Sequence, residues 1–291
     1  MTNKQTNNSK YLVSKAISYV CEAPFLAIPT FLILCLLLEK NNFLEIAIIC
    51  LFFGTIIPIL VLFIWTKLKK IDRDFTIKED RNRPLLMAAI IYFIGALILW
   101  LFQANPLITA IMLCYGTNTI IVFIINLKWK ISVHAMGITG PTTALMFANP
   151  WFFIFGLIGP LVMWSRLTLK KHTVGQLLAG SFFGYMLTAI QLYYLTKLMG
   201  FNINVDMLLI FLIIIGLTLP PLLLALGNYL KSKGIIDGYR RLIFYLLSFG
   251  LFIIFLAILP IIPTIALTFS GIISITIVYF EKLVFNKNKS I

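Results

Sequence analysis

The sequence predicts an all-α, polytopic integral membrane protein, a bundle of about ten transmembrane helices. Composition is the first reason: of 291 residues, 60% are hydrophobic and only 12% charged, with a mean hydropathy of +1.00. A globular domain is typically ~45–50% apolar, so this chain carries more than a water-facing fold can hide. The second reason is segment length. Apolar stretches recur near the ~20 residues that cross a ~30 Å hydrocarbon core. In lipid the backbone must satisfy its own hydrogen bonds, which makes such stretches helices. The third reason is that the cations fall almost wholly on one side of those stretches.

In chain order, the first 23 residues are polar and mixed and lack a small-residue cleavage pattern. They read as a cytoplasmic tail, and no secretory signal is evident. Ten hydrophobic segments follow, near 24–39, 43–65, 85–102, 106–127, 133–148, 150–164, 173–198, 206–230, 241–259 and 263–280. The fifth and sixth are short and divided by Asn149-Pro150, as in a broken or partly re-entrant pair. Pro220-Pro221 is expected to kink the eighth. No linker, low-complexity tract or internal repeat interrupts the pattern, so one membrane domain is expected.

Threading the chain through these spans places 22 of its 24 Lys and Arg on one side, leaving only Lys40 and Lys197 on the other. Positive residues in short loops mark the cytoplasmic face, so both termini are expected there. The net charge of +14 would suggest nucleic acid in a soluble protein. In this setting it reads as a topology signal that also attracts anionic lipid headgroups, and no nucleic-acid partner is expected. The four cysteines, Cys21, Cys35, Cys50 and Cys114, lie in or beside spans without C-x-x-C spacing. They read as small apolar side chains, with neither a disulfide framework nor a metal site.

Three polar clusters stand at helix starts on the cation-rich side. They are Lys78-Glu-Asp-Arg-Asn-Arg83-Pro84, Ile131-Ser132-Val133-His134, and Ser165-Arg166 through His172 to Gln176. Two spans separate each from the next, so all three return to one face and can share a site. The chain's only histidines are His134 and His172. Arg, Lys and two imidazoles suit phosphoryl transfer. Guanidinium forks bind phosphate oxygens in pairs, a neutral imidazole can attack phosphorus, and a second can protonate the leaving alcohol. A helix start near Thr173 also favours an anion.

Ser165-Arg166, five residues, His172, three residues and Gln176 resemble the third signature of the type 2 phosphatidic acid phosphatase superfamily, S-R-x5-H-x3-D. Ser132-Val133-His134 is similar to the second, P-S-G-H, and Arg83-Pro84 to the end of the first, K-x6-R-P. The resemblance covers roughly Lys78 to Leu198. It implies a phosphatase-like membrane core over 24–198, with signatures within 78–176 and accessory helices over 199–291. It also implies that His172 is the nucleophile of a phospho-histidine intermediate and His134 the general acid. Arg166, Arg83, Lys78 and Ser132 would bind the phosphate. The substrate would be a lipid phosphomonoester or diphosphate, of phosphatidic acid or isoprenyl type, with no cofactor or metal. The expected location is the plasma membrane of a prokaryote. The sequence departs from the pattern in three places. Gln176 stands for the Asp that orients the nucleophile, Thr76 takes the place of the Lys with six residues between it and Arg83, and Ile131 and Val133 replace the Pro and Gly.

Asp72, Asp74, Glu79 and Asp80 also look like one acidic motif of an intramembrane prenyltransferase. That chemistry needs a second acidic loop to hold Mg²⁺ on a diphosphate, and no Asp or Glu occurs between Arg81 and Val205. A transporter is disfavoured because no charge lies mid-span and no inverted repeat is visible. A lipid-phosphate-binding protein with weakened catalysis is the remaining alternative. The one-face arrangement is checked by cysteines placed singly at Lys67, Lys128 and Lys231. A membrane-impermeant maleimide should label all three from the same side.

Overall fold

The computed structural model describes residues 2–201 except 72–74 and 76, with side chains from Tyr11 onward, and isolated residues between 206 and 250. The chain divides into two compact units, Met1–Val205 and Asp206–Ile291. The expected segments 206–230, 241–259 and 263–280 lie largely or wholly outside the described residues.

The described part of the first unit is helical throughout. Its helices are α1 (Thr2–Val20), α2 (Ala23–Leu38), α3 (Phe43–Leu51), α4 (Ile57–Lys69), α5 (Asn82–Leu101), α6 (Pro106–Lys128), α7 (Val133–Ala148), α8 (Gly159–Thr168) and α9 (Val174–Leu198). A π-helical turn over Phe52–Ile56 joins α3 to α4, and 3₁₀ turns over Glu79–Arg81 and Pro150–Ile158 precede α5 and α8. Local chemistry sets several starts. Asn105, Ser132 and Asn149 cap helical turns by accepting from the main-chain N–H of Leu107, Ala135 and Trp151. Such caps satisfy donors that a helix start leaves without partners.

Four helical stretches are long and apolar enough to cross a membrane: Phe43–Lys69, Glu79–Leu101, Pro106–Lys128 and Pro150–Thr168. A fifth arises if α1 and α2, bent by 50° at their junction, count as one. Three of the ten expected segments lie largely or wholly outside the described residues; of the other seven, 133–148 and 173–198 have no counterpart among these stretches, and the reasons are physical. At 16 residues α7 is short, and twelve of those residues are buried, Thr139, Thr142 and Thr143 among them. It sits inside the bundle against α2, α8 and α9 and does not meet the hydrophobic demand of a lipid-facing helix. α9 is 25 residues long but carries Gln176, Ser181, Thr188 and Gln191 toward its neighbours. Lipid-facing helices behave oppositely: Leu86, Ile90, Phe93, Leu97 and Leu101 of α5 are all exposed. Together these features mark a helical membrane protein.

The segment read as a tail forms α1. Ser14 and Ser18 on it are buried, and the helix packs on α8. Ile17 and Cys21 join Leu26, Ile138 and Val162 in an apolar cluster that ties the α1–α2 junction to α7 and α8.

Pairing between helices rests on small residues and polar bonds, the two devices available where lipid removes most hydrophobic drive. Asn118 on α6 donates to Thr188 Oγ1 of α9 at 2.9 Å, and Gln191 donates back to Asn118 at 2.9 Å. Thr117 completes the set with a hydrogen bond to Gln191 Oε1. α9 also lies hard against α7. A Cβ on Gly180 would stand 2.5 Å from the Ser132 carbonyl oxygen, and one on Gly184 would collide with Thr139 Oγ1.

The loops before α5, α7 and α9 gather at one end of the bundle. Arg81 Nη1 donates to the Ile131 carbonyl at 3.2 Å, and Ser132 N–H donates to the Gln176 carbonyl at 3.3 Å. At the other end, Asn105 N–H donates to the Glu39 carboxylate. The three polar clusters expected to share one face therefore lie together among the described residues. Gly180→Ala and Gly184→Ala should each destabilise the protein by about 1–3 kcal/mol, the usual cost of overpacking. Thermal unfolding in detergent will register this as a lowered midpoint, larger than for Gly175→Ala, where an added Cβ meets nothing within 4 Å.

Candidate functional site

Thr173 begins the site. Its Oγ1 accepts from Gln176 N–H at 3.4 Å, while Gln176 Oε1 accepts from Thr173 N–H at 3.1 Å. This reciprocal box opens α9 and fixes the orientation of the Gln176 side chain. A main-chain N–H can only donate, so the atom facing it is the amide oxygen. That oxygen also lies 3.2 Å from His172 Nδ1. Nδ1 must then carry the proton, and Nε2 keeps its lone pair. The side chain of His172 is 7% exposed, and its Nε2 is buried with no hydrogen-bond partner among the described residues.

A tight turn delivers His172 to that position. α8 ends at Thr168, Lys170 takes a left-handed conformation at φ 54°, and Lys171 N–H donates to the Arg166 carbonyl at 3.1 Å. Left-handed closure of this kind is a common helix ending, usually made by glycine. It brings Arg166 and His172 to one end of the bundle. The Arg166 side chain is fully buried and donates from Nη1 to Ser18 Oγ at 2.5 Å. Next to it, Ser165 Oγ donates to the Ser14 carbonyl at 2.6 Å. A buried guanidinium is costly unless hydrogen-bonded, and α1 supplies part of what Arg166 needs.

His134 stands at the start of α7, half-buried. It hydrogen-bonds the main chain of Ser18 and has Arg166, His172 and Arg81 as electrostatic neighbours. Ser132, fully buried, caps α7 through Oγ, which accepts from Ala135 N–H at 3.3 Å. Arg81, 6% exposed, approaches from the 3₁₀ turn before α5. Under these groups lies an apolar floor of Val122, Ile131 and Met136, with Leu85, Ala179, Phe183 and Leu187 around it.

The sequence-derived residues thus separate into two sets. His172, Gln176, Arg166, His134 and Ser132 come together. Arg83 and Lys78 do not join them. Arg83 is exposed, with its guanidinium 5.8 Å from the centre of the Trp65 ring. Lys78 Nζ donates to the Leu127 carbonyl at 2.9 Å and pairs with Glu79 at 3.5 Å. Two residues N-terminal to Arg83, Arg81 occupies the place beside the imidazoles. Sequence reading missed Arg81 and Ser18. Arg81 gave a faint signal as one of three cations around Asn82, and Ser18 gave none.

The electrostatics favour a neutral imidazole at His172. Burial, followed by the charges of Arg81 and Arg166, lowers the pKa of His172 from 6.5 to about 3. The Gln176 hydrogen bond opposes this, and Lys130 adds to it. At neutral pH the His172 imidazole is uncharged, and the cations around it are set to receive an anion. Among the described residues no group of three or more His, Cys, Asp and Glu side chains gathers as a metal site would require. Comparison with protein-family models, with curated proteins and with solved structures returns no match for this chain.

Ser18→Ala removes a hydrogen bond to a charged group, worth ~1.5–3 kcal/mol. It should weaken binding of inorganic phosphate about tenfold or more in a ³¹P NMR titration, and Ser18→Thr should restore it. Stability should respond to pH as well. The folded pKa of His172 lies below its ordinary 6.5, so the unfolded chain binds the extra proton between them. Stability is then full above about pH 6.5 and falls as pH drops toward 3. His172→Asn should flatten that slope in chemical denaturation.

Proposed function

We propose that the chain is a membrane lipid-phosphate phosphatase working through a phospho-His172 intermediate without a metal ion. The observation that carries this reading is the buried Nε2 of His172, without a hydrogen-bond partner among the described residues. Gln176 holds it as the lone-pair nitrogen among Arg81, Arg166 and His134. The resemblance of Ser165-Arg166…His172 to the third phosphatidic acid phosphatase signature points the same way.

In this mechanism the phosphate of a lipid ester enters among Arg81 and Arg166, whose forks offset its charge. Nε2 of His172 donates its lone pair to phosphorus, and the P–O bond to the lipid breaks. Burial and the charge of Arg166 keep His134 neutral until the charge of the bound phosphate offsets the cations around it. It then gains a proton and passes it to the departing alkoxide, giving the lipid alcohol. Water then attacks phosphorus, His134 takes its proton, and inorganic phosphate leaves with His172 restored. Positioning and charge stabilisation supply most of the rate in such transfers. Gln176 holds the imidazole through Nδ1–H and adds no negative charge, so the imidazolium character of the transition state is stabilised by hydrogen bonding alone. The same reading puts the site and both termini on the cytoplasmic face of a prokaryotic plasma membrane, following the 22 cations on that side.

One observation favours a second reading, a lipid-phosphate-binding protein with little or no turnover. A nucleophile pKa near 3 without a carboxylate partner makes a weakly basic imidazole. The test is phosphate release from a panel of lipid phosphates in EDTA. His172→Ala should abolish release while leaving the protein folded. Gln176→Asp should keep or raise it, since a carboxylate would add charge stabilisation to the imidazolium. Each lost acid–base role should cost about 10²–10⁴ in rate. Tight binding with no release from wild type or Gln176→Asp would select the binding protein.

A further inference from the structure

His172 Nε2 is buried, and the Arg166 side chain near it is wholly enclosed. A cavity inside the bundle reaches Arg81 and His134, but neither His172 nor Arg166 lines it. For an anion to meet these two groups, part of the fold has to move. The element seated over Arg166 is α1. Its inward positions are Ser14, Ile17, Ser18 and Cys21, the i, i+3, i+4, i+7 spacing of one helix face. The two serines make a polar seam. Ser165 Oγ donates to the Ser14 carbonyl, Arg166 Nη1 donates to Ser18 Oγ, and His134 bonds the Ser18 main chain. The apolar contacts of this face, from Ile17 and Cys21, sit toward the α2 end. No described element covers the outer face, where Tyr11, Leu12, Val13, Tyr19 and Val20 are exposed.

The joint to α2 can pivot. α1 ends at Val20 and α2 begins at Ala23, so Cys21 and Glu22 make the whole 50° bend between them. Ser18 lies four residues from Glu22, a lever of about 6 Å. Straightening the bend would carry Ser18 about 5 Å, comparable to the width of a phosphate group, and Ser14, at twice the lever, about 10 Å. Lifting α1 returns a buried guanidinium to water, which offsets the hydrogen bonds lost.

We infer that α1 is a lid, hinged at Cys21-Glu22, that lifts from α8 to admit an anion to Arg166 and His172 and then closes on it through Ser18. In the closed position Ser18 Oγ accepts from Arg166 and keeps its own hydrogen to donate to an anion oxygen. The inference rests on the phosphatase reading for the identity of the anion as phosphate. The motion follows from the burial of the site beneath a seam of serines.

The test pins the lid. In phosphatidylcholine nanodiscs, Ser14→Cys combined with Ser165→Cys puts two thiols on facing sides of the seam. Copper phenanthroline joins them as a disulfide, and dithiothreitol reopens it. Binding of inorganic phosphate is followed by ³¹P NMR exchange, and phosphate release from dodecyl phosphate in parallel. The pinned protein should bind phosphate at least about tenfold more slowly than the same protein after reduction, and phosphate bound before oxidation should leave more slowly by a similar factor. Equal rates in the pinned and reduced forms would overturn the lid. Ser165→Cys alone gives a second measurement that needs no disulfide. Ser165 is fully buried, so N-ethylmaleimide should label the introduced thiol only as α1 lifts, and saturating phosphate should slow labelling about tenfold. Native Cys114, buried in α6, should stay unlabelled in both conditions. An introduced thiol that never reacts, or that reacts only together with Cys114 as in general unfolding, would also overturn the lid. Pinning that blocks phosphate binding in a protein showing no phosphate release would retain the lid and remove the enzyme. Release that pinning leaves unchanged would do the reverse.

Discussion

The Oε1 atom of Gln176 accepts two hydrogen bonds, one from the Thr173 main chain and one from His172 Nδ1. The first closes the capping box that begins α9, and the second decides which imidazole nitrogen keeps its lone pair. A structural cap and the tautomer of a buried imidazole are thereby set by the same oxygen. Anything that moves the start of α9 also moves His172, and the Gln176 main-chain carbonyl in turn ties that start to Ser132 at the start of α7. The glycines that let α7 and α9 approach so closely belong to the same constraint. The second imidazole, His134, sits on the helix at the other side of that contact.

Much of this was legible in the sequence because it follows short-range rules. The starts of α7 and α9 at Ser132 and Thr173 are capping chemistry, which depends on residues within one turn. The i to i+4 spacing of His172 and Gln176 suggests one helix face; the structure bonds the pair another way, with His172 ahead of the Thr173 cap and the Gln176 side chain reaching back to it. The meeting of the loops before α5, α7 and α9 at one end was legible as well, because antiparallel helix pairs return a chain to the end it left. The number of spans was harder to read. Hydropathy reports contact with lipid, and α7 is surrounded by protein, so its threonines and shortness carry little information about whether it crosses.

The site's cations show the opposite limit. Arg81 and Arg83 differ in sequence by two places and in environment completely, one beside the imidazoles and the other on the face of Trp65. A 3₁₀ turn over Glu79–Arg81 running into α5 decides which of them points inward, and its rotation is set by packing against the α6–α7 connection. Ser18 was invisible for another reason. It lies 148 residues from Arg166, on a polar stretch that a residue-by-residue reading assigns to solvent. Long-range docking of α1 on α8 makes that stretch part of the site.

The polar ladder of Thr117, Asn118, Thr188 and Gln191 has a bearing on how the protein is made. α9 emerges from the ribosome late, carrying two glutamines and too little apolar character to be held by lipid on its own. The Gln191 amide finds its partners on α6, which by then has already been threaded into the bilayer. Integration of α9 is accordingly a lateral annealing step onto a pre-formed neighbour. The helix that positions His172 through Gln176 is among the last of the described elements to settle, so the buried cluster of imidazoles and guanidiniums is complete only after that step.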